Sequence, residues 1–406
     1  MPSVSPEILV WARETAGLTR EEAARKLGIR DARGVAAVAR LNALETGDAS
    51  PTRPMIERMA KQYRRPLLTF YLPTPPPKGE RGRDFRVLPE GHSEASEALL
   101  DALIRDIRAR QSMVRALLED EEDTRRLSYV ASMRMSDGVA AVVASIRETL
   151  RDKPLRSTNQ ETFPVLRARA EAAGVFVLLV GNLGSHHTAI DVETFRGFAL
   201  ADEIAPFVVI NDQDAQSAWS FTLLHELTHI WLGQTGVSGA FAEAAIEAFC
   251  NTVASEFLLP SEELMEIQVD DITDLETIKV RITEFAETRI LSSSMVAYRL
   301  YQAGRIKKEA WNRLRDFFRE RWLQTREERR ARAREREGGP SYYIIRRHRV
   351  GEALLGLVRR TMADGALSPS KAAKILAVKP ANVQAMVRPV GPSALAPPTQ
   401  APKARL

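Results

Sequence analysis

The chain has 406 residues, which exceeds the size of one ordinary domain, so two or three domains are expected. Hydrophobic residues make up 44% of the sequence and charged residues 27%, as in a soluble globular protein, and the net charge of +5 permits nucleic-acid binding without requiring it. No apolar run is long enough to cross a bilayer, and Arg13 and Glu14 interrupt the early apolar residues that a signal peptide would need. The single cysteine, Cys250, excludes an internal disulfide. We therefore expect a cytoplasmic protein without a membrane segment.

The first predicted domain is helical and covers residues 1–75. Thr19 and Glu22 form a capping box at the start of its second helix, which continues to Gly28. The other helices are predicted over Pro6–Ala16, from about Arg33 to Leu44, and over Pro54–Tyr63. This order of helices resembles the helix-turn-helix domains of phage-repressor type, including the Glu-x-Gly and Pro-Thr sequences after the recognition helix.

The resemblance implies that this helical bundle binds DNA. Its recognition helix is unusual, because the segment after Ile29 is longer and poorer in Ser, Thr and Gln than is typical. The arginines there could also be ordinary solvated charges, in which case the bundle would serve protein contacts. The side chains that could contact bases or phosphates are Thr19, Arg20, Arg30, Arg33 and Arg40.

A Pro-rich linker and a connecting helix are predicted over residues 76–135. The linker contains Asp84-Phe85-Arg86, a sequence that similar proteins often carry at this point, and residues 94–122 form a charged amphipathic helix with a solvated polar face. The next domain is predicted over residues 136–325. Its strands are predicted at Gly174–Val180, Phe195–Leu200 and Pro206–Ile210.

The most informative sequence of the chain, His225-Glu226-x-x-His229, lies in this second domain. On a helix, His225 and His229 project from one face and can hold one metal ion, while Glu226 is close enough to hold a water against it. The flanking apolar residues support a helix. The alternative is a buried helix with two incidental histidines, but the chain contains only 6 histidines, so this spacing is improbable by accident.

A catalytic zinc usually takes a third protein ligand, and Glu247 on the next predicted helix is the best candidate. Asn251 lies one turn further and can reach the far nitrogen of a ligating histidine. Two carboxylates compete with Glu247. Glu243 has no polar partner one turn on, and Glu256 lies beside the end of the helix before Pro260.

These residues together resemble the ImmA/IrrE family of zinc metallopeptidases, over about residues 190–262. The resemblance implies a gluzincin-like fold, Zn²⁺ held by His225, His229 and Glu247, Glu226 as general base, and a partner repressor as the usual substrate. The chain departs from the family at Phe249, where a second glutamate is common. The matching sequences are Phe221-Thr-Leu-Leu-His-Glu-Leu-Thr-His229, Glu247-x-x-x-Asn251 and Phe257-Leu-Leu-Pro260.

Gluzincins bind an extended peptide along an edge strand beside the zinc, and the strand at 195–200 is our candidate for that edge. His186 and His187 lie in a nearby loop. A histidine near zinc could stabilise an oxyanion, but a loop histidine is more often solvated, so neither is assigned to the site. The ligand types alone do not exclude manganese or another divalent ion.

The chain past Pro260 is predicted to stay helical. Residues 326–340 form a charged linker whose alternating signs favour an exposed connecting helix, and Gly338-Gly-Pro340 marks a boundary. Residues 341–390 form a small helical domain, either a second helix-turn-helix or a cap on the preceding domain. The tail at 391–406 is Pro/Ala-rich and predicted to be disordered.

The sequence as a whole predicts an α+β protein, predominantly helical, with a helix-turn-helix bundle, a central metallopeptidase domain with a small sheet, and a small C-terminal helical domain. The predicted function is zinc-dependent hydrolysis of a regulatory protein, such as a repressor, by a protease that can sit on DNA. The alternative is a DNA-binding transcription regulator or antitoxin-type protein whose metallopeptidase fold senses a signal or binds a partner. A non-proteolytic metallohydrolase has no motif of its own here.

Overall fold

The computed structural model describes residues 4–76, 94–121, 124–151, 162–234, 236–237, 244–269, 274–335 and 341–388. Within these ranges the chain is mostly helical with one small mixed sheet, so the α+β class expected from the sequence is confirmed. Among the described residues, no helix is both long enough and apolar enough to cross a membrane. Several features named above lie outside the described residues: Asp84–Arg86, Glu243, Gly338–Pro340 and the tail at 391–406.

The N-terminal residues form a bundle of four helices followed by a 3-10 turn at Leu67–Tyr71. Buried side chains from all four helices and from Phe70 make one hydrophobic cluster. The predicted capping box is confirmed, because the Thr19 hydroxyl accepts a bond from the Glu22 amide and the Glu22 carboxylate accepts one from the Thr19 amide. The four helices are α1 (Pro6–Glu14), α2 (Arg20–Leu27), α3 (Ala37–Thr46) and α4 (Arg53–Gln62).

The start of α3 differs from the sequence prediction, which placed it near Arg33. The backbones of Ala32 and Val35 exchange hydrogen bonds of 3.1 and 3.0 Å across a tight turn. Within it, Arg33 and Gly34 have φ angles of 52° and 75°, and this left-handed backbone cannot continue a right-handed helix. The prediction is therefore wrong at this end of the helix, because turn geometry overrides the helical propensity of the alanines that follow.

The rest of the described chain builds a sheet with helices on both faces and a further helical layer beside it. The helices are α5 (Glu94–Glu119), α6 (Val139–Thr149), α7 (Thr162–Ala172), α8 (Gln216–Trp231), α9 (Ala244–Leu258), α10 (Ser261–Leu264), α11 (Leu275–Arg289), α12 (Ser293–Gln302), α13 (Lys308–Glu335), α14 (Tyr342–Val350), α15 (Glu352–Ala363), α16 (Pro369–Leu376) and α17 (Val383–Val387). The strands are β1 (Phe176–Leu179), β2 (Gly197–Leu200), β3 (Phe207–Ile210) and β4 (Gly236–Val237).

The four strands are ordered β1-β3-β2-β4. β1 pairs with β3 in parallel, and β2 pairs with β3 and β4 antiparallel. The strand at 195–200 was expected to be an edge, and this prediction is wrong at Phe198 and Ala199, which pair with Val237 and Gly236. This partner strand could not be predicted, because a two-residue strand is too short to show a periodic pattern.

The residues of β1, β2 and β3 are buried on both faces of the sheet, which explains why these three strands are continuous apolar runs. Alternate residues of each strand face opposite sides. Val177, Ala199 and Val208 face α6, α7, α8 and α9, the side that carries the metal-binding motif.

The opposite face of the sheet packs against α5 and the C-terminal helices. Phe176, Phe198 and Phe207 share one cluster with Leu103 and Ile107 of α5 and with apolar side chains of α14 to α17. The helix α5 therefore buries an apolar face against the sheet, besides the solvated face expected from its charges. The C-terminal helices cover the same sheet that supports the motif helix α8.

Polar contacts reinforce the packing of the C-terminal helices against the sheet. The guanidinium of Arg167 on α7 donates to the carbonyls of Val177 and His348, both at 2.6 Å, and to Glu171 at 3.0 Å. The other oxygen of Glu171 accepts the amides of Glu352 and Ala353 at the start of α15, at 3.0 and 3.1 Å. This carboxylate thus caps α15 from another helix.

The helices α10 to α13 form the further layer. Their apolar side chains make a cluster that also includes Leu259, at the end of α9. The guanidinium of Arg299 on α12 donates to the Leu259 carbonyl at 3.1 Å and pairs with Glu256. This layer therefore supports α9 from the side opposite the sheet.

Candidate metal centre

The helix α8 presents the two motif histidines on one face. Its residues from Trp219 to Trp231 are almost all buried, with the exposed fractions of His225 and His229 at 4% and 3%. The Nε2 atoms of these two histidines lie 3.2 Å apart. The C-terminal end of the helix is fixed by the segment before α6, since Ile230 and Trp231 carbonyls accept the amides of Ala131 and Met133 at 3.0 and 3.1 Å.

The helix α9 brings a carboxylate to the same point. Glu247 Oε2 lies 3.2 Å from His225 Nε2, and its Oε1 lies 3.3 Å from His229 Nε2. Of the two competing carboxylates, Glu243 lies outside the described residues. Glu256 is paired with Arg299 and with the Ser261 amide, so it is used at the end of α9 instead.

These distances fit a metal ion. In a tetrahedral zinc site with metal–ligand distances of about 2.0–2.1 Å, two ligand atoms are separated by about 3.3–3.4 Å. The three separations between the Nε2 atoms and the Glu247 oxygens are 3.2, 3.2 and 3.3 Å. All three groups carry lone pairs that point toward one centre, so the donor set and its spacing suit Zn²⁺.

Asn251 lies behind the first histidine. Its Oδ1 is 3.0 Å from His225 Nδ1. An amide oxygen accepts, so this contact fixes the tautomer in which Nδ1 carries the proton and Nε2 keeps its lone pair for a cation. The i, i+4 spacing of Glu247 and Asn251 on α9 places both on the face that meets α8.

Cys250 is the residue that sequence reasoning missed, since it was considered only for the internal disulfide that a single cysteine cannot form. It is fully buried on α9 and forms, with His225 and His229, a group whose potential ligand atoms lie within 4.8 Å of one another. Its thiol interacts with the His229 imidazole, and burial raises the pKa of this thiol. The signal available in the sequence was its position three residues after Glu247, which turns it toward α8.

Glu226 is completely buried beside the first strand position of β2. A Cβ atom on Gly197 would lie 2.9 Å from Glu226 Oε1 and 2.6 Å from Thr222 Cγ2. The backbone of β2 can therefore approach the Glu226 carboxylate only because residue 197 has no side chain. The strand and the helix together confine this carboxylate next to the two histidines.

The electrostatics of the centre favour positive charge. Burial alone would raise the pKa of Glu247, but hydrogen bonds and charge interactions with His225 and His229 outweigh it and lower this pKa to about 2. For His229, burial alone would lower the pKa, but Cys250, Glu247 and Glu226 raise it well above its ordinary value. A site that favours a proton on a buried imidazole also favours a metal cation in its place.

The five candidate DNA contacts lie on the N-terminal bundle in different local settings. Arg30 and Arg33 lie in the exposed loop between α2 and α3, and Arg40 on α3 donates to the Arg30 carbonyl at 2.6 Å. Thr19 is the N-cap of α2, and Arg20 pairs with the buried Glu45 at 2.8 Å. Three of the five, Thr19, Arg20 and Arg40, therefore have structural partners within the bundle, and the arginines do not share one helix face.

The fold and the centre together define a class of protein. They have the features of a metallopeptidase domain: a helix with two histidines and a glutamate, a second helix with a third ligand, and a small sheet behind them. Residues 179–301 match the Peptidase_M78 family model, described as the IrrE N-terminal-like domain. The match covers less than a third of the chain, but it contains every residue of the centre, and it supports the ImmA/IrrE family and a peptidase activity. No curated protein and no solved structure matches the chain significantly.

Proposed function

We propose that the protein is a zinc-dependent metalloendopeptidase of the cytoplasm that hydrolyses peptide bonds of a regulatory protein. The observation that carries this proposal is the convergence of His225 Nε2, His229 Nε2 and the Glu247 carboxylate at 3.2–3.3 Å, with the buried Glu226 beside them. A structural zinc is normally closed by four protein ligands and has no use for a neighbouring general base. Three ligands and an adjacent carboxylate are instead the arrangement of a hydrolytic site.

The residues would share the reaction as follows. His225, His229 and Glu247 would hold Zn²⁺, which when bound acidifies water and polarises a peptide carbonyl. Glu226 would accept the proton of the attacking water and then deliver it to the leaving amine nitrogen. Gly197 and Thr222 confine the Glu226 side chain, so its carboxylate needs little reorganisation before it takes the proton.

The substrate class rests on the family resemblance and on the N-terminal bundle. Related peptidases commonly cleave a partner repressor, and this chain carries a repressor-like bundle fused to the peptidase domain. We propose that the bundle brings the protease to DNA near a DNA-bound regulator. Arg30 and Arg33, which extend from the exposed loop between α2 and α3, are the side chains best placed for phosphate contacts.

The alternative function is a DNA-binding regulator or antitoxin-type protein in which the metal centre senses a signal or binds a partner. The same exposed arginines favour it. A gel-shift assay with the upstream DNA of the gene tests this function: selective and salt-sensitive binding supports it, whereas weak binding equal on all sequences argues against it.

The substitution Glu226→Gln tests the proteolytic function. It keeps the size of the side chain and removes its basicity, so we expect one zinc per chain to be retained and cleavage to fall by about 10²–10⁴-fold. Zinc is measured by elemental analysis, and cleavage by mass spectrometry of new peptide termini in a proteome-derived peptide library. The exposed Glu262→Gln is the matched control. Unchanged cleavage by Glu226→Gln would contradict the proposal.

A further inference from the structure

The C-terminal helices α14 to α17, residues 341–388, carry most of the positive charge of the chain. They contain nine lysine or arginine residues and two acidic residues, a net charge of +7. The whole chain has a net charge of +5, so the remaining residues together carry −2. Among the described residues, only two of the nine cations form ion pairs, Arg349 with Asp212 and Arg360 with Glu121. A segment with this excess of positive charge favours a polyanionic partner.

Three of the remaining arginines hold helices in place. Arg346 donates hydrogen bonds to carbonyls at the C-terminal end of α16, at 2.6 and 3.2 Å. Arg347 and Arg359 donate to carbonyls at the C-terminal end of α17, at 2.5–3.0 Å. These carbonyls have no partner within their own helices, so the guanidinium groups satisfy them and fix α16 and α17 relative to α14 and α15.

The connection between α16 and α17 is a tight turn. Three residues, 377–379, separate α16 from a 3-10 turn at Pro380–Asn382 that leads directly into α17. Ala377 has a φ angle of 50°, so the chain leaves α16 through a left-handed residue. Two helices joined by a turn of three or four residues are the arrangement in which a helix-turn-helix docks on the major groove of DNA.

The outer side of these helices carries cations that the fold does not use. Lys371, Lys374, Lys379 and Arg388, which we call the basic face, have exposed side chains that make no ion pair or hydrogen bond with a described residue. Lys371 and Lys374 are three residues apart on α16 and therefore lie on the same side of it. The buried side chains of α16 and α17 belong to the cluster that covers the sheet. The two helices thus pack on the sheet with one side and present the basic face to solvent.

We propose that the basic face binds duplex DNA, as a second DNA contact besides the N-terminal bundle. Its three lysines contact backbone phosphates from both sides of the turn, and phosphate contacts of this kind supply affinity and position a protein on the duplex. This inference does not depend on the metal centre. It gives the C-terminal helices a role in addition to covering the sheet.

The test measures the affinity of the purified full-length protein for a fluorescein-labelled DNA duplex of mixed sequence, by fluorescence anisotropy at several salt concentrations. The triple variant Lys371→Gln, Lys374→Gln and Lys379→Gln removes three phosphate contacts. Each contact contributes about 0.9 to the slope of log K against log[salt], so the slope should become shallower by about 2.7 and the affinity at about 0.15 M salt should fall about 10²-fold. The three side chains are exposed, so the melting temperature should not change.

A second triple variant is the matched control for net charge. Lys307→Gln, Lys308→Gln and Arg313→Gln remove three exposed cations at the start of α13, outside the basic face. Charges beyond the contact surface are screened within about 8 Å at physiological salt, so this variant should bind the duplex about as tightly as the wild type. If it loses as much affinity as the first triple variant, net charge alone explains the binding and the inference is overturned.

Three other results would overturn it: no binding of the duplex by the wild type at low salt, unchanged affinity in the first triple variant, or tighter binding of a single-stranded RNA of the same sequence. The double variant Arg30→Gln and Arg33→Gln separates the basic face from the N-terminal bundle. If the double variant abolishes duplex binding and the first triple variant does not weaken it, the bundle alone contacts DNA. Failure of the inference would leave the proposed peptidase activity untouched, because zinc content and cleavage are measured separately.

Discussion

The N-terminal bundle and the metal centre both bury ionisable side chains, but they neutralise them differently. In the bundle, the buried carboxylate of Glu45 is paired with Arg13 at 2.6 Å and Arg20 at 2.8 Å. In the metal centre, the imidazoles of His225 and His229 and the carboxylate of Glu247 all direct lone pairs at one point. The first cluster contains its own counter-ions and serves the fold. For the second, we propose that a metal cation supplies the missing positive charge and that the cluster serves catalysis.

The largest expected effect is a difference in metal content between a substitution in the metal centre and a substitution in the N-terminal bundle. His225→Ala should abolish stoichiometric zinc, since two ligands do not hold it tightly, and Glu45→Ala should leave one zinc per chain. Elemental analysis of the purified proteins measures both. A chelator should also lower the melting temperature of the wild type and of Glu45→Ala, but not that of His225→Ala. Zinc retained in full by His225→Ala would show that the centre is not the metal site.

The next effect concerns the bundle alone. Glu45→Ala leaves the buried Arg13 charge without its partner, so we expect a loss of about 3–5 kcal/mol in local stability. Hydrogen exchange of the α1 and α3 amides, followed by mass spectrometry, measures this loss. Arg20→Ala is the control: its side chain is 44% exposed, so we expect a change below about 1 kcal/mol. Equal effects of the two substitutions would contradict the structural role of the Arg13–Glu45 pair.

A smaller effect is expected where β2 meets Glu226. Gly197→Ala would place a Cβ 2.6 Å from Thr222 Cγ2 and 2.9 Å from Glu226 Oε1, so one of these side chains must move. We expect a loss of stability of about 1–3 kcal/mol, from overpacking, and a decrease in kcat of about 10²-fold from the displaced carboxylate. Zinc content should be unchanged. Urea unfolding and peptide-library cleavage measure the two effects.

Gly356→Ala is the control for this substitution. Gly356 lies within α15, and a Cβ there would have no heavy atom within 4 Å, so alanine should stabilise the helix by about 0.5–1 kcal/mol. If Gly197→Ala is equally well tolerated and cleaves normally, the close approach of β2 does not position Glu226.

The smallest effect concerns Thr19, which is both the N-cap of α2 and a candidate DNA contact. Thr19→Ala should cost about 1 kcal/mol through the lost cap, measured by hydrogen exchange of the α2 amides. Thr19→Asp keeps a good cap, so it should retain stability while its charge repels phosphate. DNA affinity unchanged in Thr19→Asp would remove this residue from the DNA-binding surface.

The sequence predicted the metal centre better than the N-terminal bundle, for a physical reason. The spacings of His225, His229, Glu247 and Asn251 are spacings along two helices, and helical periodicity converts them directly into shared faces. Only the docking of α9 on α8 had to be supplied by the fold. The roles of these residues in metal binding and catalysis stay predictions.

The features that were not predicted from the sequence depend on contacts between segments that are distant in sequence. Glu45 pairs with Arg13 across the bundle, β4 adds to β2 through two residues, and Gly197 lies against Glu226. None of these contacts has a periodic signature. The turn at Arg33 and Gly34 was also missed, because its neighbours have a composition that favours a helix.

The contacts of Arg167 and Glu171 with the C-terminal helices have a consequence for how the chain would respond to cutting. If the peptide chain were severed between α13 and α14, the two fragments should stay associated, because separation would expose the sheet face at Phe176 and Phe207 and strip a buried guanidinium of the His348 carbonyl. A deletion of residues 341–406 would accordingly behave as damage to the peptidase domain. Such a truncated protein would aggregate instead of reporting on the activity of a separate module.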